Sequence, residues 1–245
     1  KYLPNKNCNV LVGVSIYTEP GNYIVTLVNY NTGDRLNWDY VEIGVVGVDF
    51  PKTRTARYTS KPSQRKDKQK NIIDKAYRDN EFIDDLTRGM FYVDPLDGQH
   101  ELVDSFGFIY SNNQYLIHRG VDLRASVGTP VKVINRGKIV LIAKRFRREG
   151  NMVIVAHGSG VFSVYMHLSR FGDVEVLQKT KNGKTVNKKR QLRAGDIVER
   201  GQRIGLSGTT GAGAKRIQHL HLGIQIRGAY INPLVFVDTI NGYLK

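Results

Sequence analysis

Five of the six histidines fall between positions 118 and 221, and three short strings arrange four of these with spacings that suit metal binding or proton transfer. In Gln218-His219-Leu220-His221-Leu222-Gly223-Ile224-Gln225-Ile226 the even positions are aliphatic, and the odd ones are His, His, Gly and Gln. Strand side chains alternate between faces, so the aliphatics enter a core while both histidines point into a polar space that Gly223 leaves open. His118 and Asp122 form the second group, within His118-Arg119-Gly120-Val121-Asp122. Imidazole nitrogen and carboxylate oxygen are both zinc donors, and a turn at Gly120 can bring them together. In the third, Phe162, Val164, Met166 and Leu168 read as a core face, and Ser163, Tyr165 and His167 as the opposite, polar one. Each string has a plain alternative: solvated histidines on an exposed strand, a chance His-x3-Asp, or a surface histidine at a strand end. His157, in Val155-Ala156-His157-Gly158, ends a strand and reads as structural, and His100 has no partner legible in the sequence.

The elements that must hold these groups are mostly strands. From Gly120 onward the apolar strings Gly120–Leu123, Pro130–Val133, Lys138–Ile142, Asn151–Ala156, Val161–Leu168 and Leu220–Ile226 are separated by glycine turns with no long helix among them. They predict an antiparallel β domain over 91–245 with loops over one face. Strand patterns at Asn9–Tyr17, Tyr23–Tyr30 and Leu36–Val48, separated by turns, suggest a small β-sandwich over 1–60. Between them, 61–90 combines a basic linker with a helix. The linker is read as 51–70, and the helix over 71–88 follows from the spacing of Ile72, Ile73, Ala76, Tyr77, Phe82, Ile83 and Leu86.

Composition narrows the classes. The chain is 40% hydrophobic and 24% charged, which is ordinary for a folded protein, and no apolar run approaches the ~18 residues needed to cross a bilayer. Position 1 is Lys, and no leader-like pattern opens the sequence. Cys8 is the single cysteine, so neither an intrachain disulfide nor a cysteine metal cluster is possible. Net charge is +15 and is unevenly placed, at +3 for residues 1–90 and +12 for 91–245. Such a field attracts polyanions. Nucleic acid is disfavoured, because Lys144-Arg145-Phe146-Arg147-Arg148 and the lysines of 179–190 lack interleaved stacking aromatics beyond Phe146. The Gly208–Gly213 run is followed by Ala214 where a phosphate loop requires Lys. Residues 178–193 are basic without an acid, and Asn182-Gly183 predicts a hairpin there. Such a ribbon, through 179–193, suits an anionic wall or membrane surface; a solvated loop is the plain alternative.

Taken together, the strings His118–Asp122, Tyr165-Met166-His167-Leu168-Ser169 and His219-Leu220-His221 resemble the lysostaphin/LytM-type zinc endopeptidases in order and context. The frames Val121–Val131, Gly150–Gly158 and Gly201–Gly211 agree, and the resemblance covers about 91–237. It departs at Arg216-Ile217-Gln218, where Gly-Pro is common, at Leu222-Gly223, and in the basic insertion. Residues 10–60 resemble, more loosely, the Ig-like N-terminal domain that some members carry. The resemblance implies one Zn²⁺ per chain held by His118, Asp122 and His221, with a fourth position left open as in catalytic zinc sites. It implies that His167 and His219 handle a proton or a developing oxyanion. It further implies an enzyme of the bacterial envelope, periplasmic or secreted, that cuts peptides of peptidoglycan. The runner-up is a catalytically silent wall-binding or hydrolase-activating module.

Overall fold

A computed structural model describes residues 18–28, 35–45, 52–53, 64–110, 117–179, 184–212 and 217–243, together with Val14, Asn182 and Ala214. The first elements are β1 (Gly21–Val28), β2 (Arg35–Val45), β3 (Lys52–Thr53) and α1 (Gln64–Arg78). Then come β4 (Leu102–Asp104), β5 (Ile109–Tyr110), β6 (Val121–Arg124), β7 (Pro130–Lys132), β8 (Gly137–Phe146), β9 (Gly150–Gly158) and β10 (Val161–Met166). Next are β11 (Arg170–Phe171), β12 (Asp173–Lys179), β13 (Thr185–Gln191), β14 (Ile197–Val198) and β15 (Arg203–Leu206). The last are β16 (His219–Ile226), β17 (Ala229–Ile231) and α2 (Pro233–Tyr243).

The protein is mainly β, as expected. An antiparallel sheet runs β14-β8-β9-β10-β16-β6-β4, with β17 paired to β16. All six apolar strings of the second domain are strands. One face of the sheet closes a core around Leu123, Val153, Val155, Tyr165, Leu220, Leu222 and Ile224. At one end the other face is covered by α1, where Tyr77 meets Phe162 edge to face at 5.0 Å beside Met152, Ile154 and Val164.

Three expectations change. The helix starts seven residues earlier than the spacing suggested and stops at Arg78 instead of 88. Its first turns use the charge-dense stretch read as linker, whose Gln, Arg and Lys are good helix formers, and Lys70–Asp74 and Lys75–Asp79 ion pairs follow along the helix. Asn80 ends it by turning its amide onto the Ala76 carbonyl at 2.9 Å. Ile83 and Leu86 belong to a following turn, whose backbone bonds to Ser159 and His157.

Secondly, α2 was not anticipated. Asn232 caps it, accepting from Leu234 N at 3.0 Å, and Pro233 occupies the first helical position. Thirdly, β10 has no polar face: Ser163 and Tyr165 are wholly buried in the main core, and Phe162, Val164 and Met166 lie under α1.

Of the β-sandwich expected over 1–60, the structure describes the antiparallel pair β1-β2 and the short β3, which pairs in parallel with β5. The strand expected at Asn9–Tyr17 falls outside the described residues.

Candidate metal centre

Strand register assembles the centre. In β16, His221 lies opposite Asp122 of β6 on one side and Met166 of β10 on the other. Opposed residues share a face, so the Asp122 carboxylate and the His221 ring project to the same side. His118 precedes β6 and is fixed by two bonds, its N–H to the Phe108 carbonyl and its Nδ1 to the Ser105 carbonyl, both at 2.8 Å. A carbonyl oxygen only accepts, so Nδ1 carries the proton and Nε2 turns its lone pair inward. Asp122 Oδ1 then lies 3.0 Å from His118 Nε2 and 2.8 Å from His221 Nδ1, and the two nitrogens are 3.0 Å apart.

These three buried donors form a group that can hold a metal ion, and two imidazole nitrogens with one carboxylate oxygen are a zinc set. Burial raises the Asp122 carboxyl, but the His118 and His221 imidazoles beside it outweigh burial and hold the group far below the usual carboxylate range. Burial pushes His221 down, against the pull of Asp122. Burial also opposes protonation of His118, yet the Asp122 bond and charge raise it overall. The ionised Asp122 and the lowered His221 suit a divalent cation, and the raised His118 would give up its added proton to bind one.

Gly120 makes the approach possible. A Cβ there would fall 2.3 Å from the Leu222 carbonyl and 2.7 Å from His221 Nε2, so no side chain fits between the loop and β16.

The two remaining histidines sit beside the group. His219 Nε2 is 3.4 Å from Asp122 Oδ2, and the His167 and His219 rings are 5.0 Å apart. His219 Nδ1 donates to the Ile217 carbonyl at 2.7 Å and His167 Nδ1 to the Thr210 carbonyl at 2.8 Å. Both rings thus have their protons committed to the backbone and offer Nε2 as acceptor. Burial, with His221 and His219 adding to it, pushes His167 down to about 3, so its ring is neutral.

His167 reaches this place by a route that alternation does not supply. The residue before it, Met166, faces α1, and the residue after it, Leu168, enters the main core. His167 itself has φ 65°, and this left-handed turn returns its ring to the His219 side.

His157 is structural, as its position suggested. Its Nδ1 donates to the Arg136 carbonyl at 2.9 Å, and its Nε2 lies 2.8 Å from Ser163 Oγ, which is 3.1 Å from the Tyr165 hydroxyl. Burial pushes it down to about 4. His100 stays outside the site, with a buried Nδ1 that has no hydrogen-bond partner among the described residues. Sequence reading missed the groups that fix the rings: the carbonyls of Ser105, Thr210 and Ile217. Backbone oxygens carry no residue signature, so no side-chain pattern could have shown them.

Comparison with known proteins agrees with this picture. The profile of Peptidase family M23 matches residues 116–190. The peptidoglycan DD-endopeptidase ShyA of Vibrio cholerae is 32% identical over 119 residues, covering 48% of this chain and 22% of ShyA. The murein hydrolase activator NlpD of Salmonella typhimurium is 26% identical over 143 residues, covering 58% of this chain and 30% of NlpD. The chain thus spans less than a third of either relative. Among solved structures, a putative peptidase M23 from Pseudomonas aeruginosa superposes with a TM-score of 0.62 at 23% identity, covering 92% of this chain and 77% of that one, which shows a shared fold. The chain carries a peptidase family M23 domain, in keeping with its resemblance to the lysostaphin/LytM type.

Proposed function

We propose that the protein is a zinc endopeptidase that hydrolyses peptide bonds in the stem peptides or cross-bridges of bacterial peptidoglycan, acting in the cell envelope. The observation that carries this reading is the juxtaposition of the buried His118–Asp122–His221 group with two further imidazoles whose Nδ1 protons are pinned to backbone carbonyls. His118, Asp122 and His221 would hold one Zn²⁺, which supplies a Lewis acid beside the scissile carbonyl. His167 and His219, whose ring centroids lie 5.0 Å apart, present acceptor Nε2 atoms. Between them they take the proton of the attacking water as its oxygen bonds to the carbonyl carbon, and return it to the amine nitrogen as the C–N bond breaks. Burial of both rings keeps bulk water from competing for these hydrogen bonds.

The silent-module reading has one observation in its favour, the similarity to a hydrolase activator. It leaves the five-residue constellation without a role. Mass spectrometry of material released from purified peptidoglycan separates the two. An endopeptidase gives fragments with new termini at one peptide bond, whereas a module that binds wall and releases nothing overturns the enzymatic reading.

The basic ribbon supports an anionic surface as partner. Among the described residues β12 and β13 pair only with each other, and β13 is exposed along nearly its whole length. Deleting 179–190 should weaken sedimentation with wall sacs at low salt and far less at high salt, because exposed charges act over a Debye length of ~8 Å at physiological ionic strength. Equal sedimentation of both forms at low salt would reduce the ribbon to a solvated loop.

A further inference from the structure

The last residues of β8 and the turn that follows hold Lys144, Arg145, Arg147 and Arg148, all exposed, and the functional reading above makes no use of them. The structure sets this turn against His167. His167 N donates to the Glu149 carbonyl at 3.0 Å, and Ala212 N to the Arg148 carbonyl at 3.0 Å. Asn151 ties the two segments together: its Oδ1 accepts from Arg145 N at 3.0 Å while its Nδ2 donates to the Leu168 carbonyl at 2.8 Å. From the other side, α1 contributes Gln69, whose Oε1 accepts from Arg147 N at 3.0 Å. The backbone of the turn is therefore fixed, and its long cationic side chains start beside a proposed proton-transfer residue.

Several other arginines of this domain are matched by carboxylates, though not all of them. Arg124 meets Glu101, Arg136 meets Glu199, and Arg190 meets Asp196 through two bonds. None of the four cations from Lys144 to Arg148 forms an ion pair with another described residue, and Glu149, half-buried, pairs with none of them. Crowding like charges beside a centre built for a divalent cation is unfavourable until an anion arrives. Guanidinium groups also match carboxylates with two parallel hydrogen bonds, a geometry that gives orientation as well as energy.

We infer that this turn is a carboxylate-recognition subsite, and that the peptide cut is an acidic one, carrying a free carboxylate on the side of the scissile bond that lies over the β8–β9 turn. This rests on the peptidase reading and narrows it, favouring anionic stem peptides over neutral cross-bridges.

The test uses two synthetic stem peptides that differ only in one carboxylate changed to carboxamide, together with a scrambled acidic peptide. Binding to the full chain and to an Arg147→Gln/Arg148→Gln variant is followed by fluorescence anisotropy, and cleavage is followed separately. The native chain should bind the carboxylate peptide about tenfold more tightly than the carboxamide, the scale of one charge-assisted hydrogen bond. The variant should lose that difference while binding the carboxamide peptide as before. Both positions are exposed, so the variant should melt at the native temperature. Equal binding of the two peptides by the native chain overturns the inference, as does a preference that survives in the variant. Equally tight binding of the scrambled peptide also overturns it, by showing attraction without recognition. Carboxylate-dependent binding with neither peptide cut upholds the subsite and instead defeats the peptidase reading.

Discussion

Asp122→Ala is expected to lose bound zinc and hydrolysis together. One carboxylate here faces three imidazoles, with Oδ1 against His118 and His221 and Oδ2 3.4 Å from His219. Removing it takes away the only negative charge in the group and leaves buried nitrogens without the partner that orients them. The loss should exceed the ~10–100-fold typical of an outer partner of a metal ligand, since Asp122 is proposed as a ligand itself. His118→Ala should behave the same way, because its Nε2 is aimed at the same point by the Ser105 carbonyl. Elemental analysis beside a turnover assay checks both. A full complement of zinc in both variants would sink the assignment of these residues as ligands.

His167→Ala and His219→Ala should instead keep zinc and lose about 10²-fold or more in turnover, the scale of an acid/base or oxyanion group. His167 needs a further control, because its φ of 65° is unfavourable for alanine and the backbone itself could shift. Asn tolerates that conformation better, so His167→Asn separates the ring from the turn. A turnover loss in both variants identifies the imidazole as the cause. Recovery in Asn would assign the effect to the backbone, and loss of zinc from either position would place that histidine among the ligands.

The strand of the proposed ligand His221 was legible because alternation in β16 holds without exception: Leu220, Leu222, Ile224 and Ile226 are buried in the main core and His219 and His221 face the other way. The same rule applied to β10 put Tyr165 and Ser163 on a polar face, and the structure buries both. Strands covered on both sides lose the apolar–polar contrast on which such readings depend. His167 was placed over the groove for a reason that does not hold, since a left-handed residue, and not strand alternation, directs its ring there. Helix α1 was found from Ile72, Ile73, Ala76 and Tyr77, but its ends were not, because a charged first turn resembles a tether and Ile83 and Leu86 continue the apolar spacing past the stop. The Asn232-Pro233 start of α2 is a cap signal that could have revealed that helix.

The ribbon of β12 and β13 leaves the domain at Gly172 and rejoins it at Leu192, and Leu192 N donates to the Gly172 carbonyl at 2.9 Å. The nineteen-residue excursion thus departs from and returns to one point, touching the core mainly through Val174 at its root. Neither strand belongs to the large sheet, so the sheet closes without them. That makes Gly172–Leu192 a graft port. A reporter peptide or an alternative targeting hairpin could replace the ribbon's outer half without altering the strands that align His118, Asp122 and His221, and a protease cut near Asn182 should leave two pieces that remain folded together.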